Sequence, residues 1–214
     1  MLISTRKTLA IFGATGRTGR RVLEESIQRG YVCRVLVRDR ARLATSDDSL
    51  SILEGDARDA GDVGRTLAGT DAVLCCLGLT DISLPTTEFS DIVQVIIAEM
   101  KEKGVARIMA IAAAGALDHR DGGYRSKTGP PEFAHIAAEH VRNYESLRDS
   151  GLDWTLMCPV TLTSDIPAGH PRLAFDDLPE GSSQTGYDDL AQTMVDLLDE
   201  PNSIGRRVGI ISLA

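Results

Sequence analysis

Short apolar runs alternate along this chain with longer segments in which apolar positions recur every three or four residues. The runs predict strands at 8–12, 32–37, 50–53, 71–77, 106–112, 153–158 and 207–213. The amphipathic segments predict helices at 17–29, 59–67, 86–103, 131–148 and 188–198, with Gly30, Gly69, Gly104 and Gly151 placed to close four of them. The run at 71–77 is apolar throughout after Asp71, as a strand covered on both faces must be. Strands that alternate with helices of this length predict right-handed crossovers and an α/β fold: a doubly wound parallel sheet with Rossmann-type dinucleotide-binding topology. Two stretches break the rhythm. Residues 118–130 are polar and carry Gly122, Gly123 and Gly129, and residues 161–185 carry Pro167, Pro171 and Pro179. Both follow strands, at the carboxyl edge where ligands bind in such sheets. The loops near 115–131 and 160–186 are therefore expected to form a small substrate-side region on a single domain spanning 1–214.

Composition narrows the function class. With 214 residues, 43% of them hydrophobic, the chain can bury one sizeable core. A net charge of −8 leaves no basic footprint for nucleic acid. No apolar run is long enough for a membrane span, and residues 1–7 lack the apolar stretch and cleavage site of a signal peptide. Cys33, Cys75, Cys76 and Cys158 all sit in apolar runs, which predicts reduced, buried thiols in a cytoplasmic protein. None has zinc-ligand spacing, so no metal is expected.

The chemistry begins at the first strand, which runs straight into Gly13, Gly16 and Gly19. Glycine permits the sharp strand-to-helix turn and a close approach to a pyrophosphate, and the following helix aims its free N–H groups at the anion. The second strand ends at Arg38, with Arg40 and Arg42 close behind. A guanidinium there suits the 2′-phosphate of NADP, whereas an acid there suits NAD; Asp39 sits one residue late, on the other side of an extended chain. After the third strand, Asp56 is placed either to accept from an adenine amino group or to cap the next helix. Gly78, closing the fourth strand, leaves room for a cofactor or marks an ordinary turn.

Several of these pieces recur together. They are Ala10-Ile11-Phe12-Gly13-Ala14-Thr15-Gly16-Arg17-Thr18-Gly19, Leu36-Val37-Arg38-Asp39, Gly55-Asp56, Asp71-Ala72-Val73, Pro85-Thr86-Thr87 and Leu147-Arg148-Asp149-Ser150-Gly151-Leu152. In them the chain resembles the atypical short-chain dehydrogenase/reductases, the NmrA-like NAD(P)H-binding group, and within it the biliverdin reductase B/flavin reductase type. The resemblance implies Thr15, Gly16, Arg17 and Thr18 at the pyrophosphate and Arg38 and Arg42 at the 2′-phosphate. It implies Asp56 and Ala57 near adenine, Leu77 and Gly78 along the ribose, and Pro159 and Val160 by the nicotinamide. The chain also departs from that pattern. Residues 111–115 read Ile-Ala-Ala-Ala-Gly where many relatives carry a hydroxyl, and the places of the Tyr-x-x-x-Lys pair fall near Ile136 and His140. His140 and Tyr144, one helical turn apart, are the candidates left for proton donation, with packing against the sheet as the alternative.

The function these readings imply is NADPH-dependent reduction of a flat acceptor such as a flavin or quinone, which can draw its protons from solvent. The acceptor is a small molecule, held in an apolar pocket bounded by Ala113, Val160 and the two long loops; the protein is expected to be a monomer or weak homodimer. The alternative, favoured by the missing hydroxyls, is a non-catalytic NADP(H) sensor.

Overall fold

The computed structural model describes residues 6–43, 47–78, 84–166 and 168–213. Pro167, noted in the sequence, lies outside the described residues. Strands β1 (Thr8–Phe12), β2 (Val32–Val37), β3 (Leu50–Glu54), β4 (Ala72–Cys75), β5 (Arg107–Ile111) and β6 (Asp153–Pro159) alternate with helices α1 (Arg17–Gln28), α2 (Ala60–Leu67), α3 (Glu88–Lys103) and α4 (Ala134–Arg148). There follow β7 (Thr161–Thr163), β8 (Arg172–Phe175), β9 (Gln184–Gly186), α5 (Tyr187–Asp196) and β10 (Arg206–Ile211). Eight strands form one sheet in the order β3-β2-β1-β4-β5-β6-β10-β8, parallel except for the edge strand β8, and β7 and β9 pair separately. The doubly wound arrangement matches the sequence expectation. The antiparallel edge strand and the β7–β9 pair are additions, falling where only a long loop was expected. Among the described residues, no helix is long and apolar enough to cross a membrane.

The central strands feed two cores. In β1, Ala10 and Phe12 pack with α2 and α3 residues such as Val63 and Ile96, while Leu9 and Ile11 pack with Val22 of α1 and Met194 of α5. Alternate side chains point to opposite faces, so burial on both sides needs an unbroken apolar run. Helix ends follow local chemistry. Asp59 caps α2 by accepting from Asp62 N–H at 2.9 Å, and Gly104 closes α3 in the left-handed conformation at φ +71°. The cap of α2 is thus Asp59, three residues beyond the Asp56 considered in the sequence. Asp56 instead accepts from the backbone and side chain of Arg58.

The buried polar groups tie helices to the sheet. Glu139 of α4 is fully buried and accepts from Ser90 N–H at 2.9 Å, Ser90 Oγ–H at 3.0 Å and Arg142 Nε–H at 2.8 Å, which fixes α4 against the start of α3. Arg107 donates to the carbonyls of Leu197, Leu198 and Asp153 and so anchors the C-terminal end of α5 beside β6.

Candidate functional site

The ends of β1, β2, β3 and β4 open onto a cavity of about 450 Å³. Its floor is Gly13, Thr15, Leu36 and Val37; one wall is the turn Gly55–Arg58, and the other is Leu77 and Gly78 with the entry to α3 from Leu84 to Ile92. The glycine turn explains the floor. Gly13 has φ +84°, and a Cβ on it would lie 2.5 Å from the Cys76 carbonyl oxygen; a Cβ on Gly19 would lie 2.1 Å from the Gly13 oxygen. Gly13 lets the turn lie against the end of β4, and Gly19 lets α1 pack hard against the turn. Gly16 caps α1 without a side-chain hydrogen bond, so the first N–H groups of the helix stay free to meet an anion.

Arg38 lines the cavity at the tip of β2, exposed, and forms no hydrogen bond or ion pair among the described residues. Asp39 turns away: its carboxylate accepts from Ala41 N–H at 2.9 Å and caps the turn Arg40–Arg42. Asp56 and Ala57 line the opposite wall. The Arg58 guanidinium, 2.6 Å from Asp56 Oδ2, holds the Asp56 carboxyl below the usual range. Arg58 also reaches Glu88 across the mouth at 3.7 Å. Arg58, Glu88 and the apolar wall of Phe89 and Ile92 were missed in the sequence. They carry no motif, and an apolar pattern at the start of a helix reads as core.

The cavity therefore gathers Gly13, Thr15, Arg38, Asp56, Ala57, Leu77 and Gly78. The other anticipated residues lie apart from it. Gly16, Arg17 and Thr18 form the start of α1, and the Arg17 guanidinium stacks over the Tyr187 ring at 5.2 Å. That leaves the backbone of Arg17, not its charge, facing an anion at the helix end. Arg42 is exposed outside the cavity, its carbonyl accepting from Arg20 at 2.7 Å. Ala113 lies just beyond β5, and Pro159 ends β6 with Val160 next to it, along the same carboxyl edge; Ala112 N–H, donating to Met157 O at 2.8 Å, joins the two strand ends.

The structure separates the two proton-donor candidates from an open site. Tyr144 lies edge-on to Trp154 at 5.8 Å, beneath the Arg207 guanidinium at 4.5 Å. It packs into an aromatic stack under α4, the arrangement weighed in the sequence as the alternative to proton donation. His140 sits between α3 and α4, edge-on to Phe89 at 5.7 Å, with Nδ1 buried and unpartnered. Burial pushes its pKa down to about 4, so the ring is neutral near pH 7. An unfolded histidine takes up its proton near 6.5, so between pH 6.5 and 4 the unfolded chain binds more protons. His140 should therefore make stability fall as pH drops through that window, by up to about 3 kcal/mol. In urea titrations at stepped pH, His140→Gln is expected to lose that part of the decline; parallel curves for the two proteins would refute it. Burial also raises the cysteine thiols, Cys75 to about 11 and Cys33 to about 12, which keeps them protonated.

Residues 13–201 match a protein family described as NAD(P)H-binding. The chain belongs to that family. Among its relatives is an uncharacterized chloroplastic protein of Arabidopsis thaliana, 27% identical over 78% of this chain and 63% of that protein. Another is a (4-alkanoyl-5-oxo-2,5-dihydrofuran-3-yl)methyl phosphate reductase of Streptomyces griseus, 28% identical over 73% of this chain and 49% of that one. The chain thus spans less than two thirds of the length of either curated relative. Among solved structures, a proposed NADH-flavin reductase from Streptococcus pneumoniae has the same fold, with a TM-score of 0.79 and 24% identity over 97% of this chain and all of that one.

The residues present fit the family's nucleotide. A helix start without a side-chain cap supplies free N–H donors, and Arg38 supplies a cation with no ion pair among the described residues. The cavity between them lies within the range of small-ligand sites.

Proposed function

We propose that the protein is an NADPH-dependent reductase of a small, flat acceptor of the flavin or quinone class. The observation that carries this reading is Arg38 on the wall of the cavity, without an ion pair among the described residues and facing an Asp56 already engaged by Arg58. The backbone of Thr15, Gly16, Arg17 and Thr18 would hold the pyrophosphate, and Arg38 the 2′-phosphate with Arg42 at its outer side. Asp56 and Ala57 would flank adenine, and Leu77 and Gly78 the ribose. Ala113, Pro159 and Val160, with the loops near 115–131 and 160–186, would bound the acceptor beside the nicotinamide. Bound NADPH supplies the hydride. The chain's part is to orient two flat partners in an apolar slot, where proximity does most of the work. With Tyr144 stacked away and His140 neutral and desolvated, solvent supplies the proton, which flavins and quinones accept without a fixed donor. The reductases named among the relatives support this class of chemistry.

Mixing the protein with NADPH and a panel of flavins and quinones, and following loss of the reduced cofactor's absorbance, tests the reading. Turnover with a lower KM for NADPH than for NADH is expected. A second reading rests on Ala112, Ala113 and Ala114, which offer no side-chain hydrogen bond to a substrate: a non-catalytic NADP(H) sensor. Tight NADPH binding without oxidation across the panel would replace the reductase by that sensor.

A further inference from the structure

An ionised carboxylate offers about four sites for hydrogen bonds on its two oxygens. On Asp56, Arg58 takes them all. Oδ1 accepts from the Arg58 backbone N–H at 2.9 Å and from Nε at 3.1 Å. Oδ2 accepts from Nε at 3.1 Å and from Nη2 at 2.6 Å. A purine brought to this wall finds no lone pair on Asp56 for an amino group at its edge.

The same contacts fix Arg58. Nε and Nη2 are held by Asp56, and Nη1 lies 3.7 Å from Glu88 on the opposite wall. The planar group is thus gripped at its edges, across the mouth of the cavity that it lines. Its faces are another matter. The side chain remains 60% exposed, and among the described residues no aromatic ring stacks on it. The wall on the α3 side is apolar at Leu84, Phe89 and Ile92. Guanidinium planes stack on aromatic faces, and this one is already immobilised in the plane that stacking needs.

We infer that Arg58 holds the adenine of the nucleotide by its face, and that Asp56 keeps the guanidinium flat and does not read the edge of the base. The inference rests on the nucleotide placement proposed for this cavity, and it is independent of what the acceptor is. It has a consequence for specificity. Stacking tolerates any group on the edge of a purine, because every base has a π-face. Hypoxanthine, which carries a carbonyl oxygen where adenine carries its amino group, should therefore be accepted as well as adenine. A carboxylate with a free lone pair would favour the amino group and repel that oxygen.

Calorimetric titration with NADPH and with its hypoxanthine analogue, deamino-NADPH, tests this with no acceptor present. The parent protein should bind the two within about threefold of each other. Arg58→Ala removes the plane and frees the Asp56 carboxylate. The analogue should then bind about 3–30-fold more weakly, and NADPH should lose less, so that a preference for adenine appears that the parent lacks. Loss of a merely structural contact would weaken both nucleotides equally. Arg58→Lys keeps the charge without the plane and should weaken both. Unfolding midpoints of the variants should stay with the parent, because the side chain is exposed. A parent that prefers NADPH by about tenfold or more would place the base edge on Asp56 and overturn the proposal. Equal changes for the two nucleotides in Arg58→Ala, or parental affinity in Arg58→Lys, would overturn it as well. A parent that binds neither nucleotide would instead refute the placement of the nucleotide itself, and the inference with it.

Discussion

Replacing Gly19 by alanine is expected to lower stability by about 3 kcal/mol and to abolish cofactor binding with it. The added Cβ would stand 2.1 Å from the Gly13 oxygen, 2.7 Å from its carbonyl carbon and 3.0 Å from Ala14 Cα. All three are backbone atoms held by β1 and its turn, and none can rotate aside as a side chain would. Helix α1 must then move off the turn. That movement opens the packing of Val22 and Leu23 against the sheet and carries the free N–H groups away from the pyrophosphate position. Gly16→Ala is the control. Its Cβ meets only the Gly13 oxygen, at 3.3 Å, and its φ of −78° suits any residue, so a change below about 1 kcal/mol is expected. Urea unfolding with fluorescence titration of NADPH on each variant checks both effects. Equal midpoints for Gly19→Ala and the parent protein would show that α1 does not pack as closely as the structure has it.

The sequence signals that survive contact with the structure are the ones written in local physics. Apolar alternation located the central strands because each is buried on both faces, and a glycine at the end of α3 stops it wherever the rest of the chain lies. The signals that failed depend on distant partners. Strand β8 is short and half exposed, and its partner, β10, lies more than thirty residues further on; nothing in Arg172–Phe175 itself announces a strand. Tyr144 has the same amphipathic placement as a donor aimed at a cofactor, and only Arg207 and Trp154, brought in by β10 and β6, show that it is stacked. Asp56 and Asp59 are both plausible caps by type. The choice falls to Asp59 because Asp62 stands three residues on, the spacing at which a side chain reaches a helix N–H, while Arg58 takes Asp56. The cavity followed the same division: its glycine floor and Arg38 were legible, and its α3 wall was not.

Substituting Arg38 by glutamine is expected to raise the KM for NADPH by about 10–100-fold and to leave the KM for NADH within about twofold. A charge-assisted hydrogen bond to phosphate, partly exposed to water, contributes about 1.5–3 kcal/mol. The selectivity of the effect is the test, because the two cofactors differ only in the 2′-phosphate. Among the described residues no other cation is so placed. Arg58 is paired with Asp56, Arg17 is stacked on Tyr187, and Arg42 lies outside the cavity, so Arg42→Gln should shift the NADPH value by less than Arg38→Gln does. Of the acids on the described wall, Asp56 is engaged by Arg58, and Glu88 faces Arg58. Asp39 is committed to capping the turn that follows β2, and releasing it would expose Ala41 N–H. An equal rise in KM for both cofactors would mean that Arg38 holds the wall in shape without touching phosphate. A fall in the NADH value with no change for NADPH would assign the pocket to NAD. Raising the salt concentration separates a charge effect from a packing effect. Screening should narrow the gap between Arg38→Gln and the parent protein with NADPH and leave the NADH values together, because only the phosphate contact runs through an exposed ion pair.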